Sequence, residues 1–216
     1  MPESKVDALL AYVEEFEAIV QSELAATEPN LVVDAVAVEL PAAVMDETTQ
    51  RLFLDALYAT PQGVIRMSDD VEGLVETSTN MGIVTIAEGQ VAVICYPRSS
   101  VDSELDDINR MIASVWDLLD IPVTISGRYP GWKPDTESPI LLLMEDVYQE
   151  MYGVEPTVSA VHAGLECGTI VSKYPGMDAI SIGPTLQDVH TINEKVEIST
   201  VKKLNDFLLE TLQRIE

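Results

Sequence analysis

Three features of the chain predict a mixed α/β fold. Apolar residues recur at helical spacing at both ends: Val6, Leu9, Leu10, Val13, Phe16, Ile19 and Val20 near the start, and Val201, Leu204, Phe207, Leu208, Leu212 and Ile215 near the finish. Between them lie β-rich runs, LVVDAVAVEL (31–40), LVETSTNMGIVTI (74–86) and QVAVICYPRS (90–99). Helical and strand patterns also take turns along the chain, which calls for a sheet covered by helices.

The first helix has Ser4 where an N-cap would stand, with Asp7 three residues on, and Glu28-Pro29-Asn30 stops it. Leu31 to Leu40 reads as a strand and Glu47 to Tyr58 as a second helix. The two β-rich runs from Gly73 onward read as a hairpin around a three-residue loop, Ala87-Glu88-Gly89. A helix over Ser103 to Asp120 and a strand over Ile121 to Ser126 complete an α+β piece whose order resembles a ferredoxin-like sandwich. The Gly- and Pro-rich stretch GRYPGWKPDTESP (127–139) reads as a linker, with a domain boundary near Asp135.

Beyond it the pattern predicts a helix over Ser138 to Tyr152, a short strand near Val158 to Val161 and a helix over Leu165 to Lys173. A strand over Asp178 to Ile182, a loop with His190, a strand near Lys195 to Ile198 and a final helix follow. This is α/β alternation with too little sheet for a self-sufficient domain, so residues 136–216 read as part of one.

Twelve Lys and Arg against 37 Asp and Glu give a net charge of -25, which repels phosphate backbones and anionic headgroups and argues against nucleic acid and membranes as partners. The longest apolar runs, such as Ile140 to Met144, fall far short of the ~20 residues of a membrane span. The start of the chain lacks the basic and apolar blocks of a signal peptide, and the two cysteines, Cys95 and Cys167, form no CxxC pair; a cytoplasmic protein with reduced thiols is expected.

Both histidines bracket one passage, VHAGLECGTIVSKYPGMDAISIGPTLQDVH (161–190). His190, on a loop after a predicted strand, is either a metal ligand or a hydrogen-bonded loop histidine. His162 closes a predicted strand, Gly164 would let backbone amides approach a ligand, and Glu166 stands in the first turn of a helix. These residues form either a carboxylate-binding turn or an ordinary strand-to-helix turn. Cys167 reads as helix packing. Arg128, followed by Tyr129 and Trp132, could clamp a carboxylate beside an aromatic wall or pair with nearby acids. Asn80, inside a β-rich run, either offers its amide to a ligand or marks a bulge. No Ser/His/Asp triad, P-loop, GxGxxG or HExxH is present, and no side chain is assigned a catalytic role.

Taken together, GVIRMSDDVEGLVETSTNMGIV (63–84), SGRYPGWKPD (126–135), VHAGLECG (161–168), YPGMDAISIGPT (174–185) and His190 resemble the aminoacyl-histidine dipeptidases, also called Xaa-His or cytosol nonspecific dipeptidases. These enzymes belong to a zinc-peptidase superfamily, shared with carnosinases, in which a smaller lid domain is inserted into a two-zinc catalytic domain. The resemblance implies that residues 1–135 form most of a lid and dimerisation domain and 136–216 the C-terminal part of a catalytic domain. Most metal ligands and the general base would then lie upstream, so the chain looks like a C-terminal fragment, inactive by itself.

By the same resemblance His190 is the one zinc ligand retained, Arg128 and Asn80 are lid residues that reach the dipeptide substrate, Arg128 toward its carboxylate, and His162, Gly164 and Glu166 line the pocket. Where the family usually has a small residue, His and Ser-Pro-Asp-Glu, this chain reads Val189-His190-Thr191-Ile192-Asn193-Glu194. Zinc, a dipeptide and a second copy of the chain are the implied cofactor and partners. A catalytically inactive module that self-associates or binds a partner is the alternative.

Overall fold

A computed structural model describes residues 2–162 and 165–215 of the chain. The chain divides into two compact units, Met1–Gln50 and Arg51–Glu216.

In the first unit a 3-10 turn, Glu3–Lys5, runs directly into α1, Val6–Glu23. Ser4 lies inside that turn and does not cap α1; its N-cap is Lys5, which makes no side-chain capping bond. No residue of α1 is buried, although its apolar residues keep the helical spacing seen in the sequence. Residues 31–40 do not form the expected strand. Gln21 Nε2 donates to the Leu31 carbonyl at 2.9 Å and Val33 N–H to Glu17 Oε1 at 3.2 Å, which ties the segment to α1 by isolated bonds. Its alternating valines are present, but no described strand pairs with it, and Leu40 is 95% exposed.

Helix α2, Glu47–Ala59, begins with Asp46, whose carboxylate accepts from the N–H groups of Thr48 and Thr49. In the second unit, β1 (Gly63–Met67), a strand the sequence reading passed over, pairs antiparallel with β2 (Val75–Thr79). The long run 74–86 breaks at Asn80. β3 (Met81–Ala87) leaves the sheet of β2 and forms its own hairpin with β4 (Gln90–Cys95). Ala87 pairs with Gln90, so the turn is the two residues Glu88-Gly89 rather than three; both have positive φ, 52° and 74°, as a tight hairpin turn requires. A short β5, Arg98–Ser99, adds to the other edge of β2, so β2 is the central strand of a three-stranded sheet.

Helix α3, Asp102–Asp117, buries Leu105, Ile108, Ile112 and Trp116 at helical spacing. Trp116 meets Phe53 of α2, ring centroids 6.3 Å apart. After α3 the expected strand at 121–126 is absent: Asp120 turns the chain with φ 57°, and no described strand lies beside the segment to pair with it.

Helix α4, Pro139–Tyr152, has both ends written in its sequence. Ser138 Oγ accepts from the Leu141 N–H at 3.1 Å, Pro139 takes the first helical position, and Gly153 closes the helix in the left-handed conformation. α5 spans Glu166–Lys173 and α6 spans Ile198–Arg214. Met144 and Val147 of α4 pack with Phe207 of α6 in a second core, where the Tyr148 and Phe207 rings meet edge to face at 5.3 Å. The expected strands at 158–161 and 178–182 are not formed. Among the described residues of this part only the two-residue β6 (Leu186–Gln187) and β7 (Lys195–Val196) pair, the latter covering the start of the strand read at 195–198. The α/β class stands; the missing strands are segments with strand-like composition and no partner among the described residues.

Candidate functional site at the turn into α5

His162 and helix α5 each contact blocks that lie apart in the sequence. From the block at 63–84, Ser78 of β2 reaches His162, its Oγ 2.6 Å from Nε2. From the block at 126–135, the chain passes directly over α5. Gly168 is buried there, and a Cβ added to it would stand 3.0 Å from the Pro130 carbonyl oxygen and 3.2 Å from Trp132 Cβ. A larger residue here would need these neighbours to give by a few tenths of an ångström. The same 126–135 stretch is held from behind, since a Cβ on Gly131 would lie 2.3 Å from the Ser100 carbonyl oxygen. From the block at 174–185, the Ile180 carbonyl accepts from the Cys167 thiol at 3.8 Å, and Asp178 accepts from Ser138 Oγ at 2.7 Å and from the Ile140 N–H at 2.8 Å. Although partial burial opposes it, these hydrogen bonds hold the Asp178 carboxyl below the usual carboxylate range.

His162 is half-buried in this cluster. Burial, and then the positive charge of Arg98, push its pKa below the ordinary histidine value, and a hydrogen bond to the Val75 backbone pulls the other way. A ring so placed is neutral near pH 7. Glu166 is the first residue of α5 and is exposed, so its carboxylate lies where the helix dipole favours negative charge. Gly164 lies outside the described residues.

The other residues singled out from the sequence stand as follows. Asn80 is exposed at the junction of β2 and β3, and its carbonyl accepts from the Tyr96 N–H at 2.8 Å. It marks the point where one strand run splits between two sheets. Arg128 donates to Asp106 and lies 3.5 Å from Asp102, both on α3, so its guanidinium is engaged by two acids of its own chain. His190 is exposed, with φ 66°, in a turn closed by its own N–H donating to Glu194 Oε2 at 2.9 Å and by the Thr191 hydroxyl donating to the Asp188 carbonyl at 2.7 Å.

Sequence reasoning missed Ser78 and Gly168. The signal for Ser78 was the polar run Glu76-Thr77-Ser78-Thr79, in which Glu76, Thr77 and Thr79 are buried, an unusual content for a central strand. Gly168 carried no local signal, because a glycine inside a helix announces only that something else comes close.

Among the described residues no group of three or more His, Cys, Asp or Glu side chains stands close enough together to hold a metal ion. His190 with its neighbours in this chain does not by itself fit a zinc site, which needs three or four such donors. No helix of the described residues is long and apolar enough to cross a membrane.

No protein-family model matches the chain. Over 75% of its length it superposes on 44% of aminopeptidase PepT from Bacillus cereus with a TM-score of 0.59, at 16% identity, a likeness of fold alone. A more specific likeness covers the whole chain. It is 39% identical over 211 residues, 98% of its length, to the cytosol non-specific dipeptidase of Escherichia coli. It also superposes in full on the crystal structure of aminoacylhistidine dipeptidase from Vibrio alginolyticus, with a TM-score of 0.86 and 39% identity. A weaker match, 20% identical over 140 residues, is to a succinyl-diaminopimelate desuccinylase of Sulfurovum. The resemblance to the aminoacylhistidine dipeptidases is thus borne out along nearly the entire chain, which spans 44% of the length of the first two of these relatives.

Proposed function

We propose that this chain supplies the dipeptide-binding, C-terminal portion of a zinc-dependent dipeptidase that hydrolyses Xaa-His and related unblocked dipeptides in the cytoplasm. The observation that carries the reading is the 39% identity over 98% of the chain to a cytosol non-specific dipeptidase, with motif blocks of that resemblance in contact with His162 and Gly168. In this reading residues 1–135 act as the lid and mediate pairing with a second copy, and 136–216 complete a catalytic domain. Asn80, Glu166 and Gly164 border the bound dipeptide. Arg128 reaches the substrate carboxylate by exchanging its ion pairs with Asp102 and Asp106. His190 contributes a single ligand to a zinc site whose remaining donors lie beyond the described residues.

The experiment is hydrolysis of a His-containing dipeptide by the 216-residue chain with added zinc, alongside a chelator control, followed by the same assay after mixing with the missing part of a related dipeptidase. Turnover that appears on mixing and is lost with chelator supports the reading. Absence of turnover in every combination, with no dipeptide binding, removes it.

A second reading, a non-catalytic module that self-associates, is favoured by apolar surface. Val6, Phe16 and Ile19 of α1 are each at least 40% exposed, as are Ile83, Val84, Ile86, Val91 and Ile94 of the β3–β4 hairpin. Concentration-dependent mass by light scattering without any dipeptide binding would select it.

A further inference from the structure

We propose that Tyr96 is a positioning residue for Asn80: its ring, seated on the bare backbone of Gly82, fixes the direction of the Asn80 carboxamide where the β2–β5 ladder gives way to the β3–β4 hairpin. A Cβ built on Gly82 would stand 2.8 Å from Tyr96 Cε2, 2.9 Å from Tyr96 Cδ2 and 3.5 Å from Asn80 Nδ2. The ring and the amide therefore crowd the same side of one glycine, and the ring fills the place that a side chain at position 82 would take.

Strand pairing brings these groups together. Ser78 pairs with Arg98 at the end of one ladder, and Met81 pairs with Cys95 at the start of the other. Between those pairs Pro97 has no N–H to offer, and the Tyr96 N–H donates to the Asn80 carbonyl at 2.8 Å, so Asn80 and Tyr96 face each other across the junction. The register then shifts. Met81 is opposite Cys95 and Ile83 is opposite Ile94, which leaves Gly82 as an extra residue of β3. A bulge of this kind bends its strand and re-aims the side chains beside it, and a glycine inside a strand marks a close approach. Here the group that approaches is the Tyr96 ring.

Asn80 is exposed and Tyr96 is 48% exposed, so neither is held by a packed core. An exposed carboxamide turns freely about its side-chain bonds, and stilling it when a ligand arrives costs affinity; a neighbour that stills it beforehand removes that cost. The atoms that meet Gly82 are ring carbons, so the ring and not the hydroxyl performs this role. That Asn80 borders a bound dipeptide rests on the proposed dipeptidase reading; that the ring holds Asn80 does not.

The test is NMR of the 216-residue chain, following the side-chain amide protons of Asn80 in wild type, Tyr96→Phe, Tyr96→Leu and Gly82→Ala, with the dipeptide Ala-His titrated into each. Wild type and Tyr96→Phe are expected to show cross-peaks between those protons and the ring protons at position 96. In Tyr96→Leu and Gly82→Ala the Asn80 amide signals move toward those of an unconstrained Asn, and Ala-His binds about threefold to tenfold more weakly, the size expected for freeing one side chain. In an Asn80→Ala background, Tyr96→Leu is expected to weaken binding no further, a coupling that a ring acting only on overall stability would not produce. Absence of the cross-peaks in wild type, Asn80 signals indifferent to Tyr96→Leu, or equal weakening with and without the Asn80 carboxamide would each overturn the proposal. Absence of Ala-His binding by wild type is a different result: with the cross-peaks present, it removes the dipeptidase reading and leaves the hold of the ring on Asn80 standing.

Discussion

Gly168 of α5 faces the Pro130 carbonyl so closely that a Cβ would stand 3.0 Å from its oxygen, and this contact joins two motif blocks through residues 38 positions apart. Gly168→Ala adds a methyl group that the Pro130 carbonyl and Trp132 must yield to. The cost of overpacking, about 1–3 kcal/mol, exceeds the roughly 0.5–1 kcal/mol that alanine gains over glycine in a helix. A net loss in urea unfolding is expected, larger for Gly168→Val.

Gly131 and Gly183 make an internal comparison. A Cβ on Gly131 would lie 2.3 Å from the Ser100 carbonyl oxygen, which is backbone and cannot swing aside, whereas a Cβ on Gly183 meets nothing within 4 Å. Gly131→Ala is expected to destabilise by about 1–3 kcal/mol. Gly183→Ala is expected to be neutral or to stabilise by up to about 1 kcal/mol through the unfolded chain. Thermal melts of the two variants should therefore move in different directions or by clearly different amounts.

Ser138 caps α4 and donates to Asp178, and it is 2% exposed. Ser138→Ala removes a cap worth about 1 kcal/mol and leaves a carboxylate oxygen without its donor, so a loss of about 1–3 kcal/mol is expected by denaturant titration. Ser138→Thr keeps the hydroxyl and should recover most of it.

The pH dependence contributed by His162 has a definite sign. Its pKa in the folded chain lies below the ordinary value, so the unfolded chain binds the proton more readily. Its contribution to stability is full above about pH 6.5, the ordinary histidine pKa, and is lost as pH falls through the lowered folded value. Wild type should therefore lose stability on acidification through this window more steeply than His162→Gln, the carboxylates contributing equally to both. Parallel curves would show that the ring is not desolvated.

His190 occupies the left-handed region, φ 66°, where a side chain costs about 1 kcal/mol or more. His190→Gly relieves this while adding freedom to the unfolded chain, so the melting temperature should change little, and His190→Val should lower it. If His190 is a zinc ligand in the assembled enzyme, His190→Gly also reduces zinc retained on dialysis, with the fold intact by circular dichroism.

Helices were the legible part of this chain. α4 could be read to within a residue because Ser138, Pro139 and Gly153 state its ends and Met144 and Val147 its buried face, all within one stretch of chain. The helix at 166–173 and the α6 helix at 198–214 were legible for the same local reason, and Asn80, which read either as an amide offered to a ligand or as a bulge, stands between β2 and β3. Four segments with the composition of strands, at 31–40, 121–126, 158–161 and 178–182, pair with no strand among the described residues. Composition shows that a segment would suit a sheet, while pairing depends on which other segment arrives beside it. The candidate site divides in the same way. The residue types and the resemblance they carry were plain in the linear chain, down to the two histidines bracketing one passage. That His162 spends its Nε2 on Ser78, that Arg128 is engaged by Asp102 and Asp106, and that Gly168 makes room for Pro130 were decided by folding, because each depends on contacts between segments 22 to 84 residues apart.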